Sequence, residues 1–263
     1  MASAHNQDAI ANVGFIVGGD SVAVIDTGGS LSDGEQLRRN IRDVTELPIR
    51  HVLMSHVHPD HIFGAGAFLR DKPHFVAHAQ LPQALSQRGE YYRERLEEVL
   101  GRGNVGPIVL PTMLVKDRMQ IDLGGRSLEL KAHPLAHTNN DLSVIDSQTR
   151  TLFASDLLFV DRTPSLDGSL KGWLQELSML GSLNVRHTVP GHGPARVDFA
   201  SAATKLQRYL EALLRETRQA IAKGIDIADA PETVAQSERA QWTLFDEYHG
   251  QNVTQAYKEL EWE

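Results

Sequence analysis

A chain of 263 residues with 23% charged and 41% hydrophobic residues has the composition of a globular protein that can bury a sizeable core. Its formal charge of −8 argues against nucleic acid or an anionic membrane surface as partner, and the absence of cysteine excludes disulfides, thiolate metal sites and cysteine nucleophiles. No apolar run approaches the roughly 20 residues of a membrane span, and the polar opening MASAHNQDAIANVG lacks the apolar centre of an export signal.

Val13 to Val17, a Gly-Gly-Asp-Ser turn and Val22 to Ile25 predict a β-hairpin, followed by helical spacing from Leu31 to Val44. Ile49 to Met54 (IRHVLM) reads as a buried strand, Gly64 to Leu69 as the start of a helix and His74 to Ala77 as a short strand. A charged helical stretch runs from Gln80 to Leu100, and the Gly- and Pro-rich stretch Gly101 to Pro111 is expected to be a loop. Further strands are expected at Met119 to Ile121, Arg126 to Ala132, Asp141 to Ile145, Thr151 to Ala154 and His187 to Val189, with a helix over Leu170 to Leu180. An amphipathic helix from Asp198 to about Lys223 and a final helix over Pro231 to Leu260 complete the chain. Strands followed by helices, twice over and without an internal repeat, predict an α/β fold of two facing sheets with helices outside, a four-layer αββα sandwich.

Residues 55–61, SHVHPDH, place three of the 12 histidines and an aspartate at the end of a buried strand, where open α/β sheets keep their chemistry. Alternate residues of an extended segment face one way, so His56 and His58 can share an ion, while Asp60 and His61 beyond Pro59 can face a second. His137, Asp156 and His192 each lie just past an expected strand end, among small or turn-forming residues. Each alone has a plainer reading: a polar turn, a strand-end histidine, or a helix-capping aspartate at 156. Together, four strand ends deliver seven residues of ligand type.

The set His56-x-His58-x-Asp60-His61 with His137, Asp156 and His192 resembles the ligand set of the metallo-β-lactamase superfamily, and Asp26-Thr27-Gly28 matches that family's early strand-end motif. The resemblance covers about residues 12–195. It implies one domain over 1–263, with this catalytic core and a helical extension at about 198–263. Carried over by position, His56, His58 and His137 would hold a first ion, Asp60, His61 and His192 a second, and Asp156 would bridge them. Two divalent ions are implied, zinc foremost, with iron or manganese also suited to nitrogen and oxygen ligands. The stretches NVGFIVG, AHTNNDLSV, DLLFVDR, DGSLKGWL and FDEYHGQNVTQAYKELEWE are similar to a periplasmic subgroup of zinc hydrolases associated with quinoprotein dehydrogenase and sulfur-oxidation systems. A periplasmic or secreted location is therefore expected, with the cytoplasm as the alternative.

True β-lactamases typically carry cysteine or serine where Asp156 stands, so a hydroxyacylglutathione-hydrolase-like or lactonase-like site is expected ahead of β-lactam hydrolysis. The implied reaction is attack of a metal-bridging hydroxide on the carbonyl of a small, anionic ester, thioester or lactone, with Asp60 orienting the hydroxide. A non-catalytic metal-bearing accessory protein of a redox system is the reading from another class. Asp26 is expected to orient the histidine loop without ligating. Lys171 and Arg162, with Tyr91 or Tyr92, are candidates for gripping the substrate. Expected partners are a small molecule, neither nucleic acid nor membrane, and at most a second copy of the chain.

Overall fold

The computed structural model describes residues 11–263; most of the polar opening lies outside the described residues. The first sheet has the order β1 (Gly14–Val17), β2 (Val22–Ile25), β3 (Ile49–Met54), β4 (His74–His78), β5 (Met113–Val115). β1 runs antiparallel to β2, as a hairpin must, and the other neighbours are parallel. Parallel neighbours need crossovers. These are α1 (Leu31–Val44), a 3-10 helix over Ala65–Asp71, and α3 (Leu81–Leu100). A short helical turn, α2 (Pro59–Ile62), follows β3.

The second sheet has the order β10 (His187–His192), β9 (Thr151–Phe159), β8 (Leu142–Asp146), β7 (Ser127–Ala132), β6 (Arg118–Asp122). β6, β7 and β8 pair antiparallel. β7 buries every second residue, the mark of a strand with one wet face. The remaining helices are α4 (Leu170–Gly181), α5 (Phe199–Ala222) and α6 (Phe245–Leu260). Among the described residues no helix is long and apolar enough to cross a membrane.

The chain divides into two compact units, one running to Ala132 and including Leu142–Leu152, the other formed by His133–Asp141 and Phe153–Glu263. In the first, Leu37 and Ile41, one turn apart on α1, pack with Val22, Val24, Ile49 and Val52 of the sheet. The Ser30 hydroxyl caps α1 by accepting from the Asp33 N–H. In the second, Leu206, Leu210 and Leu213 form the buried stripe expected on α5. Trp173 is fully buried and its indole N–H donates to the Leu157 carbonyl at 3.0 Å, so it belongs to the core.

Three expectations need correction. β9 continues past Ala154 to Phe159, so Asp156 lies inside a strand and caps no helix. Ser155 has φ +48°, a left-handed kink that lets the strand resume after re-aiming its side chains. A three-residue strand, β5, follows the Gly- and Pro-rich loop, too short to show periodicity. The expected final helix is broken into 3-10 turns at Ala230–Glu232 and Gln236–Gln241 before α6. Thr243 is drawn out of helical geometry to bond Asp161 and Thr163, and Leu244 turns left-handed to re-enter α6.

Candidate metal centre

The local half of the site hangs from Asp26. This residue directly follows β2 with φ +55°, a conformation aspartate tolerates better than most side chains. Its carboxylate accepts from the Ser55 N–H at 2.8 Å, the Ser55 hydroxyl at 2.7 Å and His61 Nδ1 at 2.7 Å. A carboxylate accepts and does not donate, so the His61 proton sits on Nδ1 and its lone pair on Nε2. Thr27 holds the same residue from behind, donating its N–H and hydroxyl to the His61 carbonyl at 2.7 and 3.0 Å.

The rings of His56 and His58 lie 4.7 Å apart and those of His56 and His61 4.3 Å apart, and His61 Nε2 lies 3.8 Å from Asp60 Oδ2. His56 is 1% and His61 0% exposed, which removes the reading of a solvated polar turn. As Pro59 requires, the chain turns there, into α2.

The dispersed half is built from three places. His137 lies in a turn tied by Asp141, which accepts from the Thr138 N–H at 2.8 Å and its hydroxyl at 2.6 Å. His137 Nδ1 donates to the Ser165 carbonyl at 2.6 Å, which puts its lone pair on Nε2. His192 ends β10 and stacks on Phe159 with centroids 4.9 Å apart. His137 Nε2 and His192 Nε2 stand 3.4 and 3.5 Å from a single oxygen, Asp156 Oδ2. Charge-assisted hydrogen bonds are shorter, at about 2.7–2.9 Å. Two ligands each about 2.0–2.1 Å from a shared tetrahedral ion would be about 3.3–3.4 Å apart, so the spacing fits ligands around a cation.

Room for the carboxylate comes from Gly191, where a Cβ would stand 1.8 Å from Asp156 Oδ1. Within the first unit His56, His58, Asp60 and His61, and within the second His137, Asp156 and His192, offer ligand atoms of the kind that hold a metal ion.

The residues proposed to grip substrate are occupied as follows. Lys171, in the first turn of α4, pairs through Nζ with Glu263 Oε1 at 2.7 Å. Arg218 holds the same carboxylate, and the two cations, Arg218 first, draw it down to about 2. Arg162 donates to the Tyr248 hydroxyl at 3.2 Å and lies over its ring. Tyr92 meets His58 edge-on at 6.4 Å, and Tyr91 is exposed. Sequence reasoning missed Ser55, Ser165 and Gly191; only Gly191, in the run Pro-Gly-His-Gly-Pro, carried a signal of close approach.

A sequence model of the metallo-beta-lactamase superfamily matches residues 7–192. No curated protein matches the sequence. Among solved structures, a metallo-beta-lactamase from Pontibacter korlensis is 19% identical with a TM-score of 0.63, covering 76% of this chain and 93% of its own. A metallo-beta-lactamase family protein from Thermus thermophilus is 19% identical with a TM-score of 0.68, covering 95% of this chain and 87% of its own. A stereoselective inverting sec-alkylsulfatase from Pseudomonas sp. is 18% identical with a TM-score of 0.72 over 95% of this chain, which spans about half (47%) of that longer protein. At such identities the likeness concerns the fold, and the fold is the four-layer αββα sandwich expected.

Proposed function

Because the chain belongs to the metallo-β-lactamase superfamily, we propose that it is a dinuclear metallohydrolase that cleaves an ester, thioester or lactone of a small anionic molecule. The observation that carries the reading is the convergence of His137 Nε2 and His192 Nε2 on one oxygen of Asp156 at 3.4 and 3.5 Å. His56, His58 and His137 would hold one ion, Asp60, His61 and His192 the other, and Asp156 would serve both. All seven ligands offer nitrogen or oxygen, which suits zinc first.

Bound divalent ions supply Lewis acidity, which ionises water near neutral pH and polarises a carbonyl oxygen. The chain's own groups supply aim. Asp26 and Ser165 keep Nδ1 of His61 and His137 protonated, so both rings present Nε2. The Asp60 carboxylate accepts a hydrogen bond from the attacking water and orients it toward the carbonyl carbon. Burial of six of the seven ligands, all but His58, limits the screening of these charges by bulk water. The anionic preference rests on Lys171 and Arg162. The Lys171–Glu263 pair is half-exposed, so releasing the ammonium to a substrate carboxylate costs little.

The test is a panel of esters, thioesters, lactones, β-lactams and alkyl sulfates assayed with zinc-loaded protein, beside elemental analysis. Two ions per chain and turnover of a carboxylate-bearing ester, thioester or lactone are expected. Turnover of β-lactams or sulfates alone would replace the substrate class. Inactivity across the panel would favour a metal-bearing accessory protein.

A further inference from the structure

The stretch between β9 and α4, residues 160–169, has no regular structure of its own, so its backbone groups must find partners elsewhere. Many find them on one face of α6. Asn252, 1% exposed, accepts from the Leu166 N–H at 2.8 Å, and its Nδ2 donates to the Pro164 carbonyl at 2.7 Å and the Tyr209 hydroxyl at 2.9 Å. About one turn on, Gln255 donates to the Gly168 carbonyl at 3.0 Å. A turn further, Glu259 accepts from the Ser169 hydroxyl and the Leu170 N–H at 2.8 and 2.6 Å, capping α4. Residues 252, 255 and 259 share a helical stripe.

The other side of this stretch holds His137. The Ser165 carbonyl accepts from His137 Nδ1 at 2.6 Å. The Asp167 N–H donates to the His137 carbonyl at 3.0 Å, and the Ser169 N–H to the Ala136 carbonyl at 2.8 Å. The Ser165 carbonyl and the Leu166 N–H belong to the same planar peptide unit. One rigid group therefore separates the Asn252 amide from the imidazole.

We infer that Asn252 is a positioning residue for His137: it clamps the Ser165–Leu166 peptide, which fixes the ring's tautomer and the aim of Nε2 toward a metal ion. This rests on the metallohydrolase reading above. A neutral imidazole offers one lone pair, and a mispositioned carbonyl would let the ring turn or exchange its proton. Accepting from Leu166 N–H also polarises the peptide, making Ser165 a stronger acceptor. The link is reciprocal: if the clamp favours metal binding, metal binding must tighten the clamp.

Zn2+ and Co2+ affinities are to be measured by chelator competition for the unmodified protein, Asn252→Ala and Tyr209→Phe, with the Co2+ ligand-field spectrum recorded for each. Tyr209→Phe removes a buried partner of Asn252 while leaving the peptide clamp intact. Asn252→Ala should weaken metal binding about 10- to 100-fold and alter the Co2+ spectrum, whereas Tyr209→Phe should do neither. Equal losses in both variants, or none in Asn252→Ala, would overturn the inference. A second measurement needs no variant: amide exchange at Leu166 should slow about tenfold on zinc loading, while Thr163, bonded to Thr243, should not change. Unchanged exchange at Leu166 would also overturn it. If the unmodified protein binds neither ion, the metal reading itself falls; if it binds both but Asn252 is silent, only this inference does.

Discussion

The two halves of the candidate ligand set are built on opposite plans. His56, His58, Asp60 and His61 come from one loop of seven positions, braced by Asp26 and Thr27 at the end of a neighbouring strand. His137, Asp156 and His192 come from a turn and two strands, and the turn is braced by a helix near the end of the chain. The local half owes its aim to one carboxylate with three donors. The dispersed half owes its aim to backbone carbonyls, glycine clearances and distant side chains. A site of the second kind can be damaged from positions that touch no ligand.

The largest effect should come from Asp156→Ala, which removes the oxygen that both His137 and His192 approach. Loss of about a thousandfold or more in kcat/KM is expected, with falling metal content and an unchanged far-UV spectrum. Gly191→Ala sharpens the point, because it keeps the carboxylate but drives a methyl group into it. Elemental analysis should show a loss close to that of Asp156→Ala. Full metal content in that variant would mean the dispersed half does not depend on clearance.

Asp26→Ala tests the local half. It leaves the buried Ser55 N–H and His61 Nδ1 without their acceptor, so metal affinity should fall about 10- to 100-fold. Stability in urea should fall by about 1–3 kcal/mol. Damage to metal binding as severe as that of Asp156→Ala would erase the distinction between brace and ligand.

The third expectation concerns acid. Burial holds the His249 imidazole below its ordinary value, opposed in part by its bond to the Val234 carbonyl. In the other unit, burial and the neighbouring His74 and Arg50 act in the same direction on His51. Each takes up a proton on unfolding that it refuses when folded. Their contribution is therefore complete above about pH 6.5 and is lost as the pH falls below that value. For metal-free protein, the unfolding free energy from urea titrations between pH 7.5 and 5.5 should drop less steeply in His249→Gln, by up to about 1.4 kcal/mol per pH unit. An unaltered slope would remove His249 from the acid response.

The smallest effect is expected for Lys171→Ala. KM for a carboxylate-bearing ester should rise a few-fold, with kcat, metal content and neutral-ester kinetics unchanged, because an exposed charge contributes little. If neutral and anionic esters respond alike, Lys171 serves only its pair with Glu263.

Much of this molecule was legible from residue order. Alternation and 3.6-residue spacing located most elements, because burial of one face imposes a period on the chain itself. The cluster at 55–61 stood out because four ligand types crowd into one short loop. Elements shaped by distant partners were not legible: β5 exists by pairing with β4, and the break before α6 exists because Thr243 bonds Asp161 and Thr163.

The sequence by itself determined the α/β class and the ligand-type residues, since both are written in local pattern and side-chain chemistry. Only the tertiary structure decided which nitrogen each of His61 and His137 presents, why position 191 must be glycine, and that Asn252 and His137 bond the same peptide unit. Those depend on hydrogen bonds and clearances between segments far apart in the chain, and no local periodicity encodes such a pairing.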